Sequence, residues 1–113
     1  MKIYIAGKIT GDRNYKRKFK RAEKLLRKLG HSVMNPAWIV PSQEFSYEDY
    51  MVVSGGMQRA CDAVFFLSDW QSSPGARREM DRAGFLKQEV FYQGFSLPPR
   101  KAGKTEAQGR IGS

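Results

Sequence analysis

The residues best placed to do chemistry lie in the run Asp69-Trp70-Gln71-Ser72-Ser73-Pro74-Gly75-Ala76 and in Glu79 behind it. Ser73 is a good helix N-cap, and Pro74 suits the first helical position because its missing N–H leaves nothing unpaired there. A helix start presents free backbone N–H groups and the positive end of the helix dipole, so it favours an anion. Gly75 has no Cβ to hold a ligand away from that backbone. Glu79 falls on the same side of the predicted helix as Ala76 and Ala83, and these small neighbours let that side pack closely against a sheet. Its carboxylate is therefore either partly buried at the sheet edge or an exposed partner for Arg78 or Arg82.

A second candidate is the loop Gly7-Lys8-Ile9-Thr10-Gly11, with Arg13 close behind. It follows a predicted strand and precedes a predicted helix, the context of a phosphate cradle or of an ordinary strand–helix connection. It matches neither the Walker pattern nor the glycine pattern of dinucleotide sites. Tyr4 stands in mid-strand, where core packing is its ordinary role. Asp69 reads as a turn residue, and Trp70 as a stacking platform for a base or a loop anchor.

The elements that must position these residues follow from patterning. Residues 2–6 form a short strand of β-branched and aromatic type, ended by Gly7. Asn14 opens a helix to about Leu29 whose apolar stripe is Phe19, Ala22, Leu25, Leu26 and Leu29, and Gly30 stops it. A weaker strand, His31 to Met34, closes at Asn35-Pro36. Ser46 and Asp49 have capping-box spacing, which predicts a helix from about Tyr47 to Arg59. Gly55-Gly56 either interrupts that helix or lets another group approach its backbone. Ala63-Val64-Phe65-Phe66-Leu67 is apolar without alternation, as in a strand covered on both faces. The Ser73-capped helix runs to about Gly84 or Leu86, and Glu89 to Tyr92 gives a last strand.

Strands alternating with helices imply a doubly wound α/β fold: a mostly parallel sheet of four to five strands in a flavodoxin- or Rossmann-like three-layer sandwich. Ligands bind beyond the carboxyl ends of such strands, the edge that collects Gly7–Arg13, Asn35–Ala37 and Ser68–Gly75. The reading places one domain over residues 1–93 and a flexible basic tail over 94–113, where Gly, Pro, Lys, Gln and Ser predominate.

Bulk composition narrows the function classes. At 113 residues and 41% hydrophobic content the chain is long and apolar enough for one core. No apolar run approaches the roughly 20 residues of a membrane helix, so no membrane role is expected. One cysteine and one histidine leave no plausible metal cluster, and the lone Cys61 fits a reducing, cytoplasmic setting. No cofactor is implied. The net charge of +9 is uneven: 11 of the 20 Lys and Arg residues lie in the first thirty positions, most on one predicted helix. That helix is either a solvated face or an attractor of polyanions, which makes nucleic acid a secondary partner. Trp38, Phe45, Tyr47 and Tyr50 are candidates for a homo-oligomer interface or for covering the core.

Taken together, Met1 to Gly11, Cys61-Asp62-Ala63, and Trp70-x-x-Ser73-x-Gly75-Ala76-x-x-Glu79 resemble the nucleoside 2-deoxyribosyltransferase superfamily over roughly residues 1–92. The similarity is to a small branch related to the nucleoside 5′-monophosphate N-glycosidases. The resemblance implies glycosyl transfer at C1′ of a nucleoside or nucleotide, by hydrolysis or transfer to a second base. Glu79 matches the nucleophile that forms a covalent glycosyl-enzyme, and Tyr4 the tyrosine that orients it. An ionised Glu79 is expected, with its pKa kept low by Arg77, Arg78 and the helix start. Ser73 matches a phosphate-holding serine, Gly75 its neighbour, and Lys8, Ile9 and Thr10 the opposing phosphate loop. The family's acidic proton donor falls near Ser54-Gly55, so Asp69 or water would substitute. The loop arginine falls on Thr10, with Arg13 near. A non-catalytic nucleotide binder on the same scaffold is the alternative, as is a basic nucleic-acid-binding accessory protein.

Overall fold

The computed structural model describes residues 1–101. Four strands, β1 (Lys2–Ala6), β2 (Ser32–Met34), β3 (Ala63–Phe66) and β4 (Glu89–Tyr92), alternate with helices α1 (Tyr15–Lys28), α2 (Tyr47–Arg59) and α3 (Pro74–Leu86). Two 3-10 turns, Pro36–Trp38 and Trp70–Ser72, follow β2 and β3. The sheet is wholly parallel in the order β2-β1-β3-β4, so the doubly wound expectation holds with four strands.

Because β1 and β3 are central, both of their faces are covered, which is why Ala63–Leu67 lacks alternation. Ile3, Ile5, Phe65 and Leu67 pack with Phe19, Ala22 and Leu26 of α1 on one face. Tyr4, Ala6, Val64 and Phe66 face the other way, toward Ala83 of α3 and Cys61. The crossover from β1 to β2 carries α1 on one face, and the chain then returns past β1 to β3 with α3 packed on the other. The chain therefore reverses direction between β1 and β3, and the loops after those two strands flank a crevice.

Local signals account for most element ends. Ser46 Oγ accepts from Asp49 N–H at 3.1 Å, and the Asp49 carboxylate accepts from Ser46 N–H at 2.7 Å, a complete capping box. Ser46→Ala should cost about 1 kcal/mol of stability, read by urea denaturation. Asn14, expected to cap α1, makes no side-chain cap bond; Asp12 instead accepts from Asn14 N–H at 2.8 Å. Gly55 does not interrupt α2. A Cβ there would stand 3.2 Å from the Arg82 guanidinium, so its absence admits that group against the helix.

The segment after β4 packs onto the domain. Ser96 pairs with Tyr92, Pro98 is buried, and Lys101 N–H donates to Leu29 O at 2.8 Å. His31, buried between β2 and this segment, lies 2.7 Å from Pro99 O through Nε2. Residues 94–101 therefore return along the fold to the C-terminal end of α1, and the rest of the expected tail lies outside the described residues.

Candidate active site

A cavity of about 500 Å³ opens at the carboxyl edge of the sheet, at the reversal between β1 and β3. Tyr4 and Glu79 meet in it: the Tyr4 hydroxyl donates to Glu79 Oε2 at 2.5 Å. Tyr4 comes from β1 and Glu79 from the sheet-facing side of α3, where Ala76 and Ala83 are also buried. The small stripe thus brings α3 close enough for the two side chains to touch. Glu79 is 6% exposed, where a glutamate is ordinarily at the surface, and Tyr4 is fully buried.

Burial sets the electrostatics of this pair. Loss of water pushes the Glu79 carboxyl up from an ordinary 4.5 to about 7, although the Tyr4 bond, Arg82, Ser54 and Arg78 all oppose the rise. Burial and the facing carboxylate likewise drive the Tyr4 hydroxyl well above its ordinary value. The low pKa expected of Glu79 is therefore overturned. Arg78 is held outside by Glu48 at 2.9 Å, and Arg77 donates to Gln71 O at 2.7 Å, so neither approaches closely enough to offset desolvation.

A buried amide network fixes the backbone behind the carboxylate. Gln58 Nε2 donates to Glu79 O at 2.9 Å, and Arg82 Nη1 donates to Gln58 Oε1 at 3.1 Å. Gln88 Nε2 in turn donates to Gln58 O and Cys61 O. Gln58 is fully buried, and sequence reasoning passed over it because an isolated helix glutamine carries no spacing signal.

The cavity gathers Gly7, Ile9 and Thr10 from the first loop and Ser73 and Gly75 from the second. Lys8, Gly11 and Arg13 do not line it. Lys8 serves through its backbone, donating N–H to Asp69 Oδ1 at 3.1 Å. The other Asp69 oxygen is held by Lys18, which also pairs with Asp12, so Asp69 ties the two loops together from outside the cavity. It is not placed to protonate a leaving group. Trp70 is likewise turned away: its ring centroid lies 5.2 Å from Phe66 and 6.2 Å from Tyr92, around a separate surface depression. It anchors the loop rather than offering a stacking platform to the cavity.

Ser73 caps α3 as expected, accepting from Ala76 N–H at 3.1 Å through Oγ, while its carbonyl accepts from Arg77 N–H. The first turn of α3 thus offers a ligand the Gly75 N–H and the Ser73 hydroxyl proton, fewer donors than an uncapped helix start would. The remaining wall was not foreseen. Ile39, Pro41, Tyr47, Tyr50 and Met51 line the cavity together with Tyr15 and Ile9, and Tyr50 holds Pro41's neighbour by donating to Ser42 O at 2.7 Å. Ser54 is buried beside Tyr4 and Glu79. Among the described residues no group of His, Cys, Asp and Glu is placed to hold a metal ion, and no helix is long and apolar enough to cross a membrane.

Comparison with known proteins agrees with the fold. A 2-deoxyribosyltransferase of Bacillus psychrosaccharolyticus superimposes with a TM-score of 0.64 at 21% identity, covering 87% of this chain and 77% of that one. A 2-deoxyribosyltransferase of Leishmania mexicana superimposes with a TM-score of 0.63 at 16% identity, covering 97% and 87%. No curated protein sequence matches the chain. The family model described as "Domain of unknown function (DUF4406)" matches residues 1–92, which span every strand and helix from β1 to β4. The chain therefore belongs to the DUF4406 family and is built on the fold of the 2-deoxyribosyltransferases.

Proposed function

We propose that this protein cleaves the N-glycosidic bond of a nucleoside or nucleotide through a covalent glycosyl-Glu79 intermediate. The observation that carries the reading is the Tyr4–Glu79 pair, buried in the cavity at the switch between β1 and β3. One carboxylate oxygen, Oε2, accepts the Tyr4 proton donor, which leaves Oε1 for the sugar. Attack of Oε1 on C1′ forms the ester as the C1′–N bond breaks, and the bonding pair leaves with the base. A proton from water neutralises the departing base, since Ser54 offers no acid and Asp69 lies outside the cavity lining. Water, or a second base, then attacks C1′, losing its proton to the hydroxide left by the first step, and the C1′–Oε1 bond breaks to return the carboxylate.

The cavity walls bear on the substrate. The described residues that line it include no lysine or arginine, and Tyr15, Tyr47 and Tyr50 share the wall with Ile9, Ile39 and Met51. Such a wall accommodates a flat base and an uncharged sugar. A 5′-phosphate would have only the Gly75 N–H, the Ser73 and Thr10 hydroxyls and the dipole of α3 to receive it. The uncharged nucleoside is therefore the favoured substrate over the monophosphate expected from Ser73.

The test is incubation of the purified chain with ribo- and deoxyribonucleosides and their 5′-monophosphates, with free base measured by chromatography. The expected result is base release from at least one nucleoside, faster than from its monophosphate. Tight binding with no base release from any of them would favour the non-catalytic binder.

A further inference from the structure

The solvent face of α1 carries charge that the catalytic reading leaves unused. Lys16, Arg17, Lys20, Arg21 and Lys24 are all exposed, as are Arg27 and Lys28 in the last turn. At 3.6 residues per turn these seven positions fall within about 140° of arc, on a helix about 21 Å long. Among the described residues only Arg27 of the seven has an ion-pair partner, Glu23. Glu23, the one acidic residue of α1, is turned off the face and accepts from Asn35 Nδ2 and Trp38 Nε1, both at 3.0 Å. Lys18, the remaining cation of α1, is on the other side with Asp12 and Asp69.

The returning segment after β4 extends the face. Arg100 Nη1 donates to Lys28 O at 3.2 Å, and Lys101 is fastened to Leu29 O at the C-terminal end of α1. Gly30 makes room for this: a Cβ there would stand 2.9 Å from Lys101 Cβ. Two cations distant in sequence are thereby brought to the C-terminal end of the same helix.

We infer that this face binds the phosphodiester backbone of a nucleic acid duplex without reading its sequence. Unpaired like charges held on a rigid helix favour a partner that releases counterions when it is neutralised, which is the behaviour of a duplex. The face has no Asn or Gln to contact base edges and no aromatic ring on which an unpaired base could stack. Its apolar stripe is committed to the core, so it has no side to insert into a lipid surface.

The experiment is anisotropy titration of labelled duplexes of about 20 base pairs, as DNA and as RNA, between about 50 and 200 mM salt. Neutralising four to five phosphates gives a log–log slope of about −4, a loss of about 10²-fold across that range. Lys20→Glu with Lys24→Glu should weaken binding at low salt at least about 10-fold and flatten the slope by about two. Arg59→Glu with Lys87→Glu, the same charge change away from the face, should stay within about 3-fold of the parent. Should the glutamates unfold α1, as judged by circular dichroism, Lys24→Gln replaces them, with the slope flattened by about one. Equal losses in the two double variants, a flat salt response, or equally effective displacement by poly-glutamate of matched charge would overturn the proposal. Binding to either duplex supports it, and the tighter of the two names the source of the phosphodiester.

Discussion

Glu79→Gln is expected to lower kcat for base release by at least about 10³-fold while making the folded chain more stable at pH 8. The first effect follows from removing the only atom proposed to bond to C1′, and an amide is a far poorer nucleophile than a carboxylate. The second follows from burial. An unfolded glutamate titrates at its ordinary 4.5, whereas folding pushes Glu79 up to about 7. The folded state thus holds this proton more tightly than the unfolded state, so the contribution of Glu79 to stability is fully present below pH 4.5 and is lost as pH rises through about 7. The gap corresponds to about 3 kcal/mol of destabilisation once the group is ionised. Glutamine has the same shape, cannot ionise, and still offers an oxygen to the Tyr4 hydroxyl. For a domain of this size the difference should appear as a rise in Tm of about 10 °C or more at pH 8, shrinking to a few degrees at pH 5. Calorimetry at the two pH values, beside an assay of base release, checks both halves. An unchanged kcat would remove Glu79 from the nucleophile's role, and equal melting of variant and parent at pH 8 would remove the cost assigned to its burial. A site that gains stability when its reactive group is neutralised is the usual trade between fold and function.

The elements were legible wherever the signal is local. The Ser46–Asp49 box placed α2 at Tyr47–Arg59, and the unbroken apolar run Ala63–Leu67 marked a strand covered on both faces, which β3 is. The pairing of Tyr4 with Glu79 was legible from a resemblance. The spacing of Glu79 in its helix left a buried and an exposed carboxylate equally open, and the closeness of α3 to the sheet decided between them. What remained hidden depends on contacts between segments distant in sequence. Asp69 is drawn to Lys18, 51 residues away, and Trp70 to the Phe66 and Tyr92 rings. Neither choice has a periodicity to announce it. The wall from Ile39 to Tyr50 belongs partly to irregular chain, where aromatic residues give no direction, so Tyr47 and Tyr50 read as interface or core cover. The low pKa expected for Glu79 counted nearby arginines by sequence distance. Arg77 and Arg78 follow the helix outward to Gln71 and Glu48, and desolvation outweighs what remains. The returning segment was missed because Gly, Pro and Ser composition describes a chain that need not fold alone, yet it packs readily onto a surface already built.

Tyr4→Phe is expected to separate orientation from packing. The ring fills the same space against Val64 and Phe66, so the core loses only a hydroxyl. The carboxylate, however, loses the strongest of the groups that favour its ionised form, since the Tyr4 bond outranks Arg82, Ser54 and Arg78 in that respect. A hydrogen bond to a charged group contributes about 1.5–3 kcal/mol, so the Glu79 titration should move upward by about one to two pH units from about 7. Only the ionised form attacks C1′, so the acidic limb of the kcat/KM profile should move by the same amount. Near pH 7, where the parent is about half ionised, the loss should be about 5- to 50-fold and should shrink as pH rises toward 9. Ser54→Ala should move the limb in the same direction and less far, because Ser54 ranks below Tyr4 and Arg82 in opposing the rise. A purely structural role would lower the rate by one factor at every pH and leave the limb where it is. If the Tyr4→Phe profile keeps its midpoint, Tyr4 is a packing residue, and the ionisation of Glu79 is governed by Arg82 and Ser54 instead. Movement of the midpoint with recovery at high pH would make the short Tyr4–Glu79 bond the feature that holds a buried carboxylate ready to react near neutral pH.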